Sequence, residues 1–244
     1  MAINLERLAL KLMNTDYEIP NLNKLLCALP SADYHHIHQH LEVVILSFGE
    51  VLYETGDVIK YVYFPNDALV SLLTNVDQHR ALEVGLVGRE GMVGVALALG
   101  ANVSLVRAIV QGTGTAMRIK ASFFRQELGN SILLQRGVNL YINALMAQIA
   151  QTAACNRFHH IEARLARWLL MTRDRVYSDH FYLTHEFLAH MLGVRRVGVT
   201  KAAHSLKKQK LIEYSRGNIT ILNLAGLEHV SCSCYEMIKV SDKY

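Results

Sequence analysis

LTHEFLAHMLGVRRVGVTKAAHSLKKQKLIEYSRGNITIL, residues 183–222, has the pattern of two short helices around a glycine turn, followed by a tight hairpin. Thr184 is placed to cap the first helix, because its hydroxyl can accept from an unpaired first-turn amide, and Phe187, Leu188, Met191 and Leu192 then make one apolar stripe. Gly193 ends that helix, since glycine enters the left-handed region without a Cβ clash. The second helix has Val199, Ala202, Ala203 and Leu206 at i, i+3, i+4 and i+7. Its other side carries Arg195, Arg196, Lys201, His204, Lys207 and Lys208. Such a helix can lie in a DNA major groove while its predecessor braces the backbone. A structural helical hairpin with a solvated basic face would give the same two helices. The predicted strands 211–212 and 219–222, joined by turn formers, add a wing and favour the DNA reading.

This stretch resembles the C-terminal winged helix-turn-helix of the Crp/Fnr family of bacterial transcription regulators. In that family a threonine opens the first helix, a glycine makes the turn, and the second helix carries an Arg, often a Glu, and a second Arg one turn later. The corresponding positions here are Thr184, Gly193, Arg196, Val197 and Lys201, so an apolar residue replaces the carboxylate that accepts from cytosine. The resemblance implies base contacts by Arg196 and Lys201, with Val197 against a thymine methyl. It implies phosphate contacts by Thr184, His185, Arg195 and Arg216.

The chain has 244 residues, of which 51% are hydrophobic, enough for packed cores. Residues 156–222 hold 12 Lys and Arg against 5 Asp and Glu, a balance of +7, so the other residues together carry −3 of the chain's +4. Positive charge is therefore gathered where phosphates would be met. Cys27, Cys155, Cys232 and Cys234 do not form a disulfide framework, and Cys232 and Cys234 lack a second pair in sequence to complete a zinc site. The charged N-terminus is not a signal peptide, and the longest apolar run, residues 92–101, is too short to span a bilayer. A cytoplasmic protein with no membrane association is expected.

The expected fold class is α+β. Residues 1–20 form an arm, 21–128 a β jelly-roll resembling the cyclic-nucleotide-binding domain of the same family, 129–157 a dimerisation helix and hinge, and 158–244 the winged domain. Short strands rich in Val, Ile, Leu, Tyr and Phe between turn signals support the jelly-roll. Gly49 to Asp57 resembles that domain's early strand and turn. Helix breaks are expected at Gly129-Asn130 and at the hinge Asn156-Arg157. Within the long helix, Leu134, Val138, Tyr141, Leu145, Gln148 and Thr152 fall at alternating three- and four-residue steps and read as a dimer seam, with packing onto the barrel as the alternative.

A cyclic-nucleotide site of this family needs a carboxylate for the ribose and an Arg for the phosphate. Val95 stands at the first slot and Asn102-Val103 near the second, a degenerate effector pocket that implies no cAMP response. An iron-sulfur sensor needs clustered N-terminal cysteines, where only Cys27 is available, and a haem sensor needs an axial His, for which His79 is a weak candidate. His36 and His40 share a helical spacing, but no carboxylate or Cys completes a metal set around them. No metal or cofactor is expected, and the effector is unnamed. The expected function is a sequence-specific DNA-binding regulator acting as a homodimer, with duplex DNA, a second copy and RNA polymerase as partners. The alternatives are a ligand-independent regulator of the same fold and a jelly-roll metalloenzyme with a helical accessory domain. No catalytic constellation is present.

Overall fold

The computed structural model describes residues 23–75, 81–176 and 178–241. The N-terminal arm, the turn around Asp77 and His79 lie outside the described residues. Two short helices, α1 (Lys24–Cys27) and α2 (Ser31–His38), lead into two antiparallel sheets. One holds β1 (Glu42–Leu46), β7 (Gly114–Lys120) and β3 (Tyr61–Pro65) in that order. The other holds β2 (Val51–Tyr53), β6 (Arg107–Gly112), β4 (Leu69–Asn75) and β5 (Ala81–Val87). Sequence neighbours are mostly not sheet neighbours, as a jelly-roll requires. Their inner faces share one core that includes Val62, Phe64, Val70, Val110 and Ile119. Asn23 caps α1 and donates from Nδ2 to Pro65 O (2.9 Å) and Gly91 O (2.8 Å), tying the helix to the barrel.

Two helices follow, α3 (Ala121–Asn130) and α4 (Ile132–Phe158). The break comes at Ser131, whose hydroxyl caps α4 by accepting from Leu134 N–H (3.0 Å), so Gly129-Asn130 lies inside α3. The expected hinge Asn156-Arg157 lies inside α4, and the chain bends after it, at His159. The proposed seam is also corrected. Leu134, Val138, Tyr141, Leu145, Gln148 and Thr152 are all buried in this chain, the first four of them in the barrel core. The periodicity is that of a helix burying one stripe, and in this chain the barrel core takes the first four residues of it. Gln148 does more than pack. Its Oε1 accepts from Leu86 N–H (2.6 Å) and its Nε2 donates to Leu86 O (3.2 Å), satisfying the open side of the edge strand β5.

The remaining elements are α5 (Ile161–Val176), β8 (His180–Tyr182), α6 (His185–Leu192), α7 (Arg196–Lys208), β9 (Ile212–Ser215), β10 (Asn218–Ile221), α8 (Leu224–Val230) and α9 (Cys234–Ser241). The turn expected at 178–180 leads straight into β8, which pairs with β10 and makes the hairpin a three-stranded sheet ordered β8-β10-β9. The core of this helical part continues into the barrel, for Leu69, Leu73 and Leu86 cluster with Leu165, Trp168 and Leu169. Among the described residues no helix is long and apolar enough to cross a membrane.

A buried polar network crosses that junction. Trp168 Nε1 donates to Glu83 Oε1 (2.9 Å), and Ser71 Oγ lies 2.6 Å from Glu83 Oε2 and also contacts Gln111 Oε1. A hydroxyl has one proton to give, so a protonated Glu83 that donates to Ser71 frees it to donate to Gln111. Burial pushes the Glu83 carboxyl up from 4.5 to about 7, against the hydrogen bonds that Ser71 and Trp168 would give its ionised form. Between those two values the folded chain holds a proton that the unfolded chain has lost, so stability falls as pH rises through that window. Glu83→Gln keeps the acceptor for Trp168 and removes the titration. Between pH 5 and pH 7.5 the urea midpoint of the wild type is expected to fall relative to that of the variant. Equal shifts in both proteins would show that Glu83 does not set this dependence.

Candidate nucleic-acid interface

The helix-turn-helix is assembled by local rules that the structure bears out. Thr184 Oγ1 accepts from Phe187 N–H (3.2 Å) to cap α6. Gly193 closes it at φ 62°, its amide bonded back to Ala189 O and His190 O. A Cβ at Gly193 would lie 2.6 Å from Leu82 Cδ1, so the turn is also pressed onto β5. Val199, Ala202, Ala203 and Leu206 of α7 are buried as the periodicity requires. The wing turn places Arg216 at φ 49° and Gly217 at φ 87°, a left-handed pair that matches the twist of a tight hairpin.

At 100° per residue, the direction opposite the buried stripe of α7 is occupied by Val197, Lys201, His204 and Lys208, all exposed. Val197 is 59% exposed, a cost in water that a thymine methyl would relieve. Arg196 lies on the shoulder of this stripe. His204 belongs to the outer stripe, a position that its place among several basic residues in the sequence does not reveal. Arg195 precedes α7 as its N-cap and makes no side-chain capping bond, so the first amides of the helix carry their dipole outward beside two guanidiniums. Lys207 is occupied, with Nζ bonded to Glu213 Oε1 and to Tyr214 O (3.3 Å), which joins the helix to the wing.

Two of the four residues assigned to phosphates have internal work. Thr184 is the cap just described. His185 is corrected, because it is half-buried between elements: its ring stacks on Tyr214 at 4.1 Å and 14°, and Nδ1 lies 3.0 Å from Thr200 Oγ1. Thr200 donates its proton to Arg196 O (3.1 Å), so it accepts from His185 Nδ1–H, while Nε2 is buried with no hydrogen-bond partner among the described residues, which favours the neutral ring. Desolvation, followed by the charge of Arg196, holds the His185 pKa below 6.5. A neutral, stacked imidazole fixes α6, α7 and β9 relative to one another and cannot serve as a cation for phosphate. Sequence spacing reveals a histidine near the helix start but not the aromatic face that claims it.

The effector residues fall on three separate local features. Val95 lies in a single turn of 3-10 helix, Val103 bridges Val58, and Asn102 Oδ1 accepts from Arg125. The segment before them is filled: a Cβ at Gly91 would stand 2.0 Å from the Tyr141 ring, and one at Gly94 would stand 3.2 Å from the Tyr53 hydroxyl. An opening of about 400 Å³ lies instead along β2 and β3, where Tyr53, Asp57, Lys60, Tyr61 and Tyr63 line it. His40 stacks on Phe123 at 4.1 Å, which ends its pairing with His36. The expectation that Cys232 and Cys234 lack further ligands is also corrected, for Cys155 and His159 at the end of α4 come to meet them.

Residues 163–230 match the Crp-like helix-turn-helix domain. No curated protein matches the chain significantly. Solved structures resemble it over most of its length. FixK2 from Bradyrhizobium japonicum is 14% identical with a TM-score of 0.68, over 79% of this chain and 98% of that one. CLP, a c-di-GMP responsive global regulator of Xanthomonas campestris, is 14% identical with a TM-score of 0.65, over 79% and 99%. A transcriptional regulator of the CRP/FNR family from Thermus thermophilus is 21% identical with a TM-score of 0.63, over 78% and 98%.

The His185 clamp has a pH signature. At pH 8 His185→Ala is expected to cost about 1–2 kcal/mol through lost stacking and one lost hydrogen bond. As pH falls through 6.5 the unfolded wild type takes up a proton before the folded one does, so the stability that His185 contributes is lost and the gap to the variant narrows. Chemical denaturation at pH 8 and pH 5.5 measures it, and a gap that widens toward acid would refute the neutral clamp.

Proposed function

From a Crp-like helix-turn-helix domain carried on the fold of Crp/Fnr-type transcription regulators, we propose that the protein is a transcription regulator that binds duplex DNA as a homodimer. The observation that carries the reading is the outer face of α7, where Val197, Lys201 and His204 stand exposed in line beyond a bare helix N-terminus. Lys201 and Arg196 donate to base edges and Val197 meets a methyl group. Arg195 and the wing residue Arg216 hold phosphates, with Thr184 at the mouth of the first helix, and these set register rather than sequence preference. The winged region is residues 158–244, the jelly-roll 21–128, and 129–157 joins them. The regulator acts in the cytoplasm, with RNA polymerase as its further partner, and is not an enzyme. It does not respond to cAMP by the familiar mode, because Val95, Asn102 and Val103 supply neither a carboxylate for the ribose nor a cation for the phosphate.

Dimerisation is assigned to the other side of α4. Leu133, Leu140 and Ala147 recur at seven-residue steps on its exposed side, with Leu133 at 44% and Leu140 at 42% exposure. A paired α4 holds two copies of α7 for successive major grooves, about 34 Å apart on a pseudo-palindromic site.

Selection of bound duplexes from a random pool tests the reading directly. Arg196→Ala is expected to weaken specific binding by about 1–3 kcal/mol and to relax preference at one position per half-site, whereas Arg216→Ala lowers the salt dependence with preference unchanged. Unaltered preference in Arg196→Ala would remove that residue from the base contacts. Leu140→Glu is expected to give a folded monomer by light scattering and circular dichroism, with affinity for a palindromic duplex reduced. A Leu140→Glu protein that remains dimeric would place the interface elsewhere.

A further inference from the structure

Four ligand-type side chains converge where the end of α4 meets the start of α9, in a place that DNA reading does not use. Cys155 and His159 are one helical turn apart at the end of α4, Cys232 lies in the link between α8 and α9, and Cys234 opens α9. One ligand atom from each lies within 4.8 Å of all the others. Cys155 Sγ is 3.4 Å from Cys232 Sγ, and Cys234 Sγ is 3.4 Å from His159 Nδ1. Tetrahedral coordination with Zn–S bonds of about 2.3 Å sets sulfur atoms about 3.8 Å apart, so small side-chain shifts would complete the polyhedron. We propose that Cys155, His159, Cys232 and Cys234 form a closed structural site for a zinc-type divalent cation.

The surroundings suit such a centre. Cys155 and Cys234 are fully buried and Cys232 is 7% exposed, as expected where four protein ligands leave no open position. Three thiolates and a neutral imidazole around a dication leave one net negative charge. Two buried guanidiniums lie in electrostatic range of the Cys155 sulfur. Arg164 donates only to Asn156 Oδ1 (2.7 Å) and to Leu192 O, and Arg167 only to Thr152 Oγ1 (3.4 Å) and Met171 Sδ (3.4 Å). Neither forms an ion pair among the described residues, and Glu83 acts on Arg167 only at a distance. Buried cations without a counter-charge are costly, and an anionic metal-thiolate centre supplies one. Gln151 Nε2 donates to Cys234 Sγ (3.0 Å), the outer hydrogen bond that orients a thiolate ligand.

Soft sulfur with one imidazole selects zinc over oxygen-seeking cations. Binding releases the three thiol protons to solvent and moves no electrons, so no redox partner is involved. The consequence is mechanical. A cation here staples α9 to the last turn of α4, and so ties the end of the winged region to the rod that precedes it.

Metal content reads this site without reference to DNA binding. Full-length chain purified without chelator is expected to hold about one zinc per chain. Reduced apo-protein titrated anaerobically with Co(II) is expected to develop the visible absorption of a tetrahedral thiolate complex, to saturate at about one equivalent, and to lose the colour when Zn(II) is added. Cys232→Ser and Cys234→Ser should weaken Co(II) binding by at least ~10–100-fold. Cys27→Ser, at an exposed site, should bind as the wild type does. The wild-type titration needs no variant to fold. A reduced wild type with no tetrahedral Co(II) spectrum overturns the site, as does a spectrum that survives loss of both Cys232 and Cys234. Zinc-free protein isolated with a Cys155–Cys232 disulfide would overturn it in favour of thiol oxidation.

Discussion

Strand β5 is the edge of its sheet, and the backbone groups along its open side cannot stay buried without partners. Three helices that follow the barrel are anchored along that edge. From α4, Gln148 supplies a side-chain amide to both polar groups of Leu86. From α5, Trp168 bonds to Glu83, and at the end of α6, Gly193 rests on Leu82. Three consecutive parts of the strand thus hold three different helices. Arg175 and Glu90 add a buried ion pair at 2.8 Å just beyond the strand. A buried pair of this kind contributes little net stability but penalises displacement, because separating the charges leaves each one uncompensated.

The demand of β5 decides what α4 can offer a partner. A helix has one stripe for each surface it meets, and the stripe with the best apolar periodicity is consumed inside the chain. What remains outward is weaker in pattern, with leucines diluted by alanines at Ala147 and Ala154, yet small residues allow close approach of a second helix. The same division of faces shapes α7. Its apolar side is sealed against α5 and α6, Lys207 is tied to the wing, and the outermost line, with Arg196 on its shoulder, is left to meet a ligand.

The buried polar groups fall into two sets with different chemistry. Around Glu83, one carboxyl shares too few protons with Ser71 and Gln111, and the neutral acid fits best. Around Cys155, two guanidiniums face sulfur without carboxylates, and an anionic centre fits best. Both sets lie at junctions between α4, α5 and their neighbours, where a change in protonation or metal occupancy would be felt as a change in how firmly the winged region is held.

The residue pattern alone determined the elements of the winged region, from the cap at Thr184 through the Gly193 turn to the buried line Val199, Ala202, Ala203 and Leu206, because caps, left-handed glycines and helical spacing act within a few residues. It determined the jelly-roll strands for the same reason. Which surface would claim each stripe was decided by the tertiary structure. The spacing of Leu134 to Thr152 fits a partner helix or a barrel equally well, and only the barrel's position settles it. His185 carries no mark in sequence of the Tyr214 ring that stacks on it. Cys155 and Cys232 are 77 positions apart, and only the folding of α9 onto α4 makes them neighbours. Local geometry is written in adjacent side chains, whereas a site built from distant ones exists only once the chain has closed on itself.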